Sequence, residues 1–145
     1  MKYSLANYIL SIQPNDTTLK TMFSNVSIGG EGSAIDSVTI SLDNDVWKTT
    51  SFATGAWVHD KHLGRTGTAT VSISQLSDRV AKFKQMCNIF FNGEYDGFTL
   101  SLVDNTGNKV CTCTDCYIKK IPDQDFKETA QMQSWIFTCG EITFD

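Results

Sequence analysis

The middle of the sequence predicts a strand, then a helix, then another strand. Residues 67–74 alternate between apolar and hydroxyl side chains, which is the period of a half-buried strand. Apolar residues then recur every three or four positions, as on one face of a helix at about residues 77–91. Alternation returns after Asn92 and Gly93. The apolar face of the helix is expected to consist of Leu76, Val80, Phe83, Cys87 and Phe90.

The rest of the chain shows strand patterns and no second convincing helix. An extended N-terminal segment covers residues 3–12, and further extended segments cover 22–28 and 37–42. Residues 98–103 and 109–118 flank a turn-rich stretch, which is typical of a β-hairpin. We therefore expect a mainly β protein with one helix.

The final strand, at about residues 131–144, changes its phase. Its apolar residues up to Cys139 occupy odd positions, whereas those from Ile142 onwards occupy even positions. A strand that keeps one face buried through such a change needs an extra residue. The pattern therefore predicts a β-bulge at Gly140 and Glu141.

Residues 43–66 form a long loop without a regular period from Val46 onwards. Such a connection is long for a compact domain, and segments of this kind are usually functional or ordered by a partner. Its two tryptophans favour an interface. The alternative is a loop folded back on its own core. The candidate contact residues are Trp47, Phe52, Trp57, His59, Asp60 and His62.

Several strands carry serine and threonine opposite their apolar face. The clearest examples lie at residues 37–41, 68–72 and 99–101. The pattern is typical of a solvated sheet face. The more specific alternative is the wall of a wet, weakly interacting cavity or channel.

Three of the five cysteines form the motif Cys111-Thr-Cys113-Thr-Asp-Cys116. A zinc knuckle needs Cys-x₂-Cys on a tight turn and a second such pair, whereas Cys111 and Cys113 lie on a predicted strand. By alternation Cys116 faces the other way. Reduced structural thiols and disulfide bonds, within or between subunits, remain open. The candidate disulfide cysteines are Cys111, Cys113, Cys116 and Cys139, and Cys87 is expected to be a buried thiol.

The sequence gives no indication of an enzyme, a metal site or a cofactor. No cysteine or carboxylate at helical spacing completes a metal-ligand set with His59 and His62, and an interface role is favoured for this pair. No nucleophile motif surrounds any cysteine or serine. We expect no catalytic residue, no metal ligand and no cofactor.

Length and charge exclude several other classes. A chain of 145 residues is expected to form a single domain, residues 1–145. The net charge is −4 and the basic residues are scattered, so specific nucleic-acid binding is not expected. No apolar run reaches the roughly 18–20 residues that span a bilayer, and the apolar start is interpreted as a strand or arm. We expect no membrane anchor and no signal peptide.

Two stretches resemble the inner tail tube proteins of contractile-tailed bacteriophages. The first is LGRTGTATVSISQLS at residues 63–77, a glycine-containing strand that leads into the helix. The second is YIKKIPDQDF at residues 117–126, which is continued by SWIFTCGEITF at residues 134–144. The motifs occur in the family's order, and the resemblance covers roughly residues 35–145.

The resemblance implies both a fold and a function. The fold would be a small antiparallel β-sandwich or barrel with one flanking helix, shared with type VI secretion tubes. Six copies would form a ring, and rings would stack into a hollow tube inside a contractile sheath, as the conduit for genome ejection. Implied partners are further copies, the tail sheath protein, the baseplate and the tail terminator. Genomic DNA would pass without specific binding. The protein would be assembled in the host cytoplasm and belong to the tail of the virion.

The resemblance also suggests roles for particular segments. Residues 46–66 would stack one ring on the next, and the serine and threonine faces are candidates for the channel lining. The cysteines are not part of the family pattern, and they would form disulfides between neighbouring subunits once the virion leaves the reducing cytoplasm. The alternative function is a baseplate or fibre binding module of similar β fold.

Overall fold

The computed structural model describes residues 3–17, 26–29, 35–93 and 95–145, without the side chains of Val26 and Asn92. The extended segment predicted from residue 22 lies partly outside this range. In chain order the elements are β1 (Tyr8–Pro14), β2 (Val26–Gly29), β3 (Ile35–Leu42), β4 (Trp47–Ser51), β5 (Trp57–Lys61), β6 (Gly67–Ser74), α1 (Asp78–Asn92), β7 (Phe98–Asp104), β8 (Lys109–Lys120) and β9 (Met132–Phe144).

Seven of these strands form one antiparallel sheet in the order β2-β1-β7-β8-β9-β6-β3. The sheet curls into a half-barrel, so β2 and β3 are its two edges. The other two strands, β4 and β5, follow β3 and precede β6 in the sequence. Within the described residues they pair with each other as a separate hairpin. The predicted mainly β, antiparallel fold with one flanking helix is confirmed.

Alternation along the strands determines which face of the sheet is apolar. Strand β6 buries Ala69, Val71 and Ile73, and its hydroxyl side chains lie on the opposite face. Trp135 and Phe137 of β9 are the register partners of Val71 and Ala69. Register partners in an antiparallel pair point to the same face, so the apolar positions of neighbouring strands merge into one continuous surface.

Helix α1 covers this apolar face. It begins after Ser77, whose hydroxyl oxygen accepts a hydrogen bond from the backbone N–H of Arg79 at 3.3 Å. The Phe83 ring centroid lies 5.2 Å from that of Trp135 and 5.8 Å from that of Phe137. Buried aromatic clusters of this kind contribute much of the stability of a core. Phe83 therefore anchors the helix on β9, while Phe90 contacts Phe98 of β7 at 5.1 Å between ring centroids.

One residue assigned to the helix face is placed differently by the structure. Leu76 lies in the turn before α1 and its side chain is 75% exposed, so its predicted place in the core is wrong. Met86, which the spacing did not select, is buried instead. Met86 lies three residues after Phe83, which places both on the same face of the helix.

The change of phase in β9 is present, but the predicted β-bulge at Gly140 and Glu141 is wrong. Cys139 and Ile142 are both buried, while Gly140 and Glu141 between them are exposed. The register between β8 and β9 does not shift at this point. The register is maintained because β8 also has two consecutive exposed residues at this point, Thr114 and Asp115, which lie opposite Glu141 and Gly140. We call this paired irregularity the bend of β8 and β9.

Gly67, the first residue of β6, is the register partner of Cys139, which directly precedes the exposed pair Gly140 and Glu141. A Cβ atom at this position would overlap the Ile142 side chain and the carbonyl oxygen of Ser41. The backbone N–H of Ile142 also donates a hydrogen bond to the carbonyl oxygen of Arg65 at 3.0 Å. Close approach of two neighbouring strands therefore requires glycine here.

The contact between helix and sheet leads to a prediction for stability. Phe83→Ala should lower the free energy of unfolding by about 3–5 kcal/mol, because it leaves a cavity between α1 and β9. Phe91→Ala, on the same helix but 82% exposed, should change it by less than about 0.5 kcal/mol. Denaturant unfolding of both variants tests this, and equal losses would contradict the assigned role of Phe83.

Candidate functional site

The hairpin formed by β4 and β5 is exposed along its whole length. All residues of both strands are solvent-exposed. At its tip the Phe52 N–H donates to the Ala56 carbonyl at 2.8 Å, and Gly55 adopts a positive φ of 89° in the turn. An isolated two-stranded hairpin is at best marginally stable in water. This hairpin therefore has the character of a segment that gains from packing against a partner.

The register of the hairpin gives it two different faces. The face that we call the aromatic face carries both tryptophans. Lys61 Nζ lies 5.7 Å from the Trp47 ring centroid, a cation–π contact, and Thr49 Oγ1 is hydrogen-bonded to His59 Nδ1 at 2.8 Å. The aromatic face consists of Trp47, Thr49, Ser51, Trp57, His59 and Lys61, and the opposite face of Lys48, Thr50, Val58 and Asp60.

The structure separates the contact residues predicted from sequence. Trp47, Trp57 and His59 share the aromatic face, whereas Asp60 lies on the opposite face. Phe52 is at the tip and 52% exposed. His62 follows β5, and its backbone N–H donates to the Val46 carbonyl at 2.8 Å. The predicted lack of regular structure across residues 46–66 is wrong for β4 and β5. Neither face of these strands is buried, so no apolar alternation marks them.

The face of the large sheet opposite α1 is lined by hydroxyl groups, and we call it the hydroxyl face. Serine and threonine occupy register partners on strand after strand. The alternation within each strand predicts which serine and threonine residues share a face. The pairing of the strands, which the sequence does not show, aligns them into rows across the sheet. One row is Ser27, Ser11, Ser101, Thr112 and Thr143, and a second is Ser37, Ser72 and Ser134.

All five cysteines are buried free thiols, so the structure does not contain the expected disulfide bonds. Cys111, Cys113 and Cys116 face the same core, and the prediction that Cys116 faces the other way is wrong. The reason is the change of phase at Thr114 and Asp115, where Asp115 adopts a φ of 53°. The cysteines therefore lie inside the subunit, although disulfides between subunits would need them at the surface.

Burial determines the acidity of most of these thiols. It raises the pKa of Cys87, and it raises the pKa of Cys111 to about 12 together with the neighbouring Cys113. Hydrogen bonds from the Cys113 and Cys116 thiols lower the pKa of Cys139, and the contacts with Cys113 and Cys139 raise the pKa of Cys116.

The described part of the chain contains neither a metal-ligand cluster nor a membrane-spanning helix. Across residues 3–17, 26–29, 35–93 and 95–145, no group of three or more histidine, cysteine or acidic side chains is arranged to hold a metal ion. Within the same residues, no helix has the length and apolarity needed to cross a membrane.

Solved structures with this fold come from contractile injection systems. A sheath–tube complex of an extracellular contractile injection system, PVC, matches with a TM-score of 0.56 and 14% identity over 100% of this chain and 92% of that chain. The PVC sheath/tube terminator matches with a TM-score of 0.56 and 12% identity, over 100% of this chain and 97% of that chain. The anti-feeding prophage baseplate matches with a TM-score of 0.56 and 8% identity, over 99% of this chain and 95% of that chain. At these identities the likeness concerns the fold.

The fold is thus shared with proteins of contractile injection systems. Residues 8–144 match the family described as the bacteriophage PhiTE tail tube protein. The chain belongs to this family and is a structural tail tube component of the phage virion. No curated protein sequence matches the chain. The resemblance to phage tail tube proteins inferred from residues 63–77 and 117–144 is confirmed.

The burial of the cysteines leads to a second prediction. In the folded, reduced protein all five thiols should react with iodoacetamide far more slowly than a free thiol, because none is more than 7% exposed. A Ser51→Cys variant adds an exposed thiol on the hairpin and should gain one adduct rapidly. Intact mass spectra recorded over time test this. Rapid labelling of several native cysteines would contradict their assigned burial.

Proposed function

We propose that copies of this chain assemble into hexameric rings that stack as the hollow inner tube of a contractile tail, the conduit for genome ejection. The tube would lie inside the tail sheath protein and end at the baseplate and at the tail terminator. The chain would act as a structural subunit without enzymatic activity or cofactor, and it would be assembled in the host cytoplasm. The observation that carries this proposal is the exposed hairpin.

The hairpin supports stacking because its aromatic face has the chemistry of an interface. Trp47 and Trp57 are 58% and 65% exposed. Large aromatic side chains are enriched at protein interfaces, and each contributes considerable apolar area when a partner buries it. A hairpin that projects from the sheet suits contact with a copy in the next ring, and this contact would stabilise the hairpin itself.

The open edges of the sheet support ring formation. Within the described residues, β2 and β3 end the sheet on opposite sides. Unpaired strand edges favour contact with another chain. A head-to-tail contact between one edge of a copy and the other edge of its neighbour generates a ring when the rotation closes.

The hydroxyl face supports the role of a conduit. Rows of serine and threonine present uncharged, hydrated groups across five strands, from β2 to β9. Basic side chains would bind the phosphates of passing DNA through release of counterions, whereas neutral hydroxyl groups do not. The hydroxyl face is thus our candidate for the channel lining, along which genomic DNA passes without specific binding.

Stacking through the aromatic face predicts different results for two adjacent residues of β5. Trp57→Ser should abolish long tubes while leaving rings or single subunits, because it removes an anchor of the aromatic face. Val58→Ser, on the opposite face and 45% exposed, should still give tubes. Both residues are exposed, so the free energy of unfolding should change little in either variant. Negative-stain microscopy of the purified proteins provides the comparison.

Two outcomes of that experiment would count against the proposal. Tubes of normal length from Trp57→Ser would show that the aromatic face does not stack rings. Isolated globules or trimers from the unmodified protein would favour the alternative, a baseplate or fibre binding module. The equal similarity of fold to a baseplate structure makes this the appropriate second candidate.

The assignment of the channel lining predicts an effect of added charge. Ser101→Lys places a cation in the middle of a hydroxyl row, and assembled tubes of this variant should retain short DNA at low salt and release it at high salt. Asn105→Lys adds the same charge in the exposed turn between β7 and β8 and should retain much less. Co-sedimentation of DNA with the tubes measures this. Equal retention by both variants would contradict the assignment.

A further inference from the structure

Four of the five buried cysteines form a cluster beneath the bend shared by β8 and β9, and we call it the thiol cluster. Cys113 is at its centre. Its sulfur lies 4.0 Å from that of Cys111, and it also interacts with the thiols of Cys116 and Cys139. Nothing in the proposed tube function requires sulfur at these positions. Relative exposure in the thiol cluster does not exceed 2% for Cys111, Cys113, Cys116 and Cys139.

The change of phase brings two of these cysteines directly opposite each other. Cys116 of β8 and Cys139 of β9 are register partners. Directly opposed residues of antiparallel strands have Cα atoms about 4.5 or 5.5 Å apart, depending on the hydrogen-bonding pattern. Both values lie within the range of about 4.4–6.8 Å that a disulfide bond spans. Without the outward pair Thr114 and Asp115, Cys116 would face the opposite side of the sheet.

The other cysteine pairs are less well placed for a bond. Cys111 and Cys113 are two residues apart on one strand, which separates their Cα atoms by about 6.6 Å, near the upper limit of disulfide geometry. Cys113 and Cys139 are not register partners, because Cys113 pairs with Ile142. Cys116 and Cys139 are therefore the favoured pair.

We infer that Cys116 and Cys139 are an oxidation site, at which a cross-strand disulfide forms within one subunit by reaction with a small disulfide such as oxidised glutathione. The thiolate of one cysteine of the pair attacks one sulfur of the oxidant, which releases one small thiol and leaves a mixed disulfide. The other cysteine of the pair then displaces the second small thiol. Two S–H bonds of the protein are exchanged for one S–S bond, and the oxidant is reduced to two thiols.

The surroundings of the pair determine when this reaction proceeds. Both sulfurs are enclosed, so the oxidant reaches them only while β8 and β9 are open, during folding or local unfolding. Either thiol can then attack, because in the open state both are exposed to solvent and the thiolate form is the nucleophile. A virion component that has left the reducing cytoplasm meets the conditions in which such a bond persists. The bond closes a loop that contains the whole irregular segment 121–131, so it restricts the unfolded chain.

Refolding in a glutathione buffer tests the oxidation site. The denatured chain is refolded with reduced and oxidised glutathione, denatured again without reductant, and treated with N-ethylmaleimide. The oxidised protein should carry three adducts rather than five, as a monomer, and a peptide joining Cys116 to Cys139 should appear on proteolysis. Its denaturant midpoint should be higher than that of the reduced protein.

Matched variants make the assignment specific. Cys87→Ala removes the cysteine outside the thiol cluster and should still give the Cys116–Cys139 peptide, whereas Cys116→Ala and Cys139→Ala should not. Peptide mapping of the protein without substitutions identifies the bonded pair even if Cys116→Ala or Cys139→Ala fails to fold. Five adducts on the refolded protein, a peptide joining another pair, or a disulfide-linked dimer would each overturn the inference. None of these results depends on tube assembly, so the proposed function is tested separately.

Discussion

The structure depends on the packing of a single helix against one face of a seven-stranded sheet. Phe83 joins the two layers through its contacts with Trp135 and Phe137. A sheet has two faces, and one helix of 15 residues covers only one of them. The other face must therefore meet water or a neighbouring molecule. Its serine and threonine side chains satisfy this constraint without adding charge, and they leave the apolar interactions to the helix side.

The same constraint explains why the two tryptophans of the hairpin lie away from the core. The apolar volume beneath α1 is already occupied by phenylalanine, tryptophan, aliphatic side chains and thiols. The hairpin of β4 and β5 contributes none of its residues to that core, and its tryptophans remain at the surface. Exposed aromatic side chains are enriched at protein interfaces, which supports the assembly proposed for this member of the tail tube family.

Sequence patterns predicted those elements that have one buried and one exposed face. Strand β6, helix α1 and the phase change at Gly140 and Glu141 were all identified in this way, because burial on one side imposes a period. The two strands of the hairpin were not predicted, because both of their faces are exposed. In β5 the apolar residues Trp57 and Val58 are adjacent, so they point to opposite faces and show no alternation. Leu76 was assigned to the helix by spacing alone, although the chain is still in a turn at that residue.

The cysteines show a further limit of pattern reasoning. Their orientation depends on Asp115, whose φ of 53° is uncommon for a residue other than glycine. Strict alternation from Cys113 turns Cys116 outward. The parity change in β8, from Cys111 and Cys113 to Cys116 and Ile118, matches the one in β9 only when cysteine is counted as apolar in both strands. Once the two irregularities are paired, the bend keeps both strands in register and buries Cys116 opposite Cys139. The bend that maintains the apolar face is thus also what creates the thiol cluster.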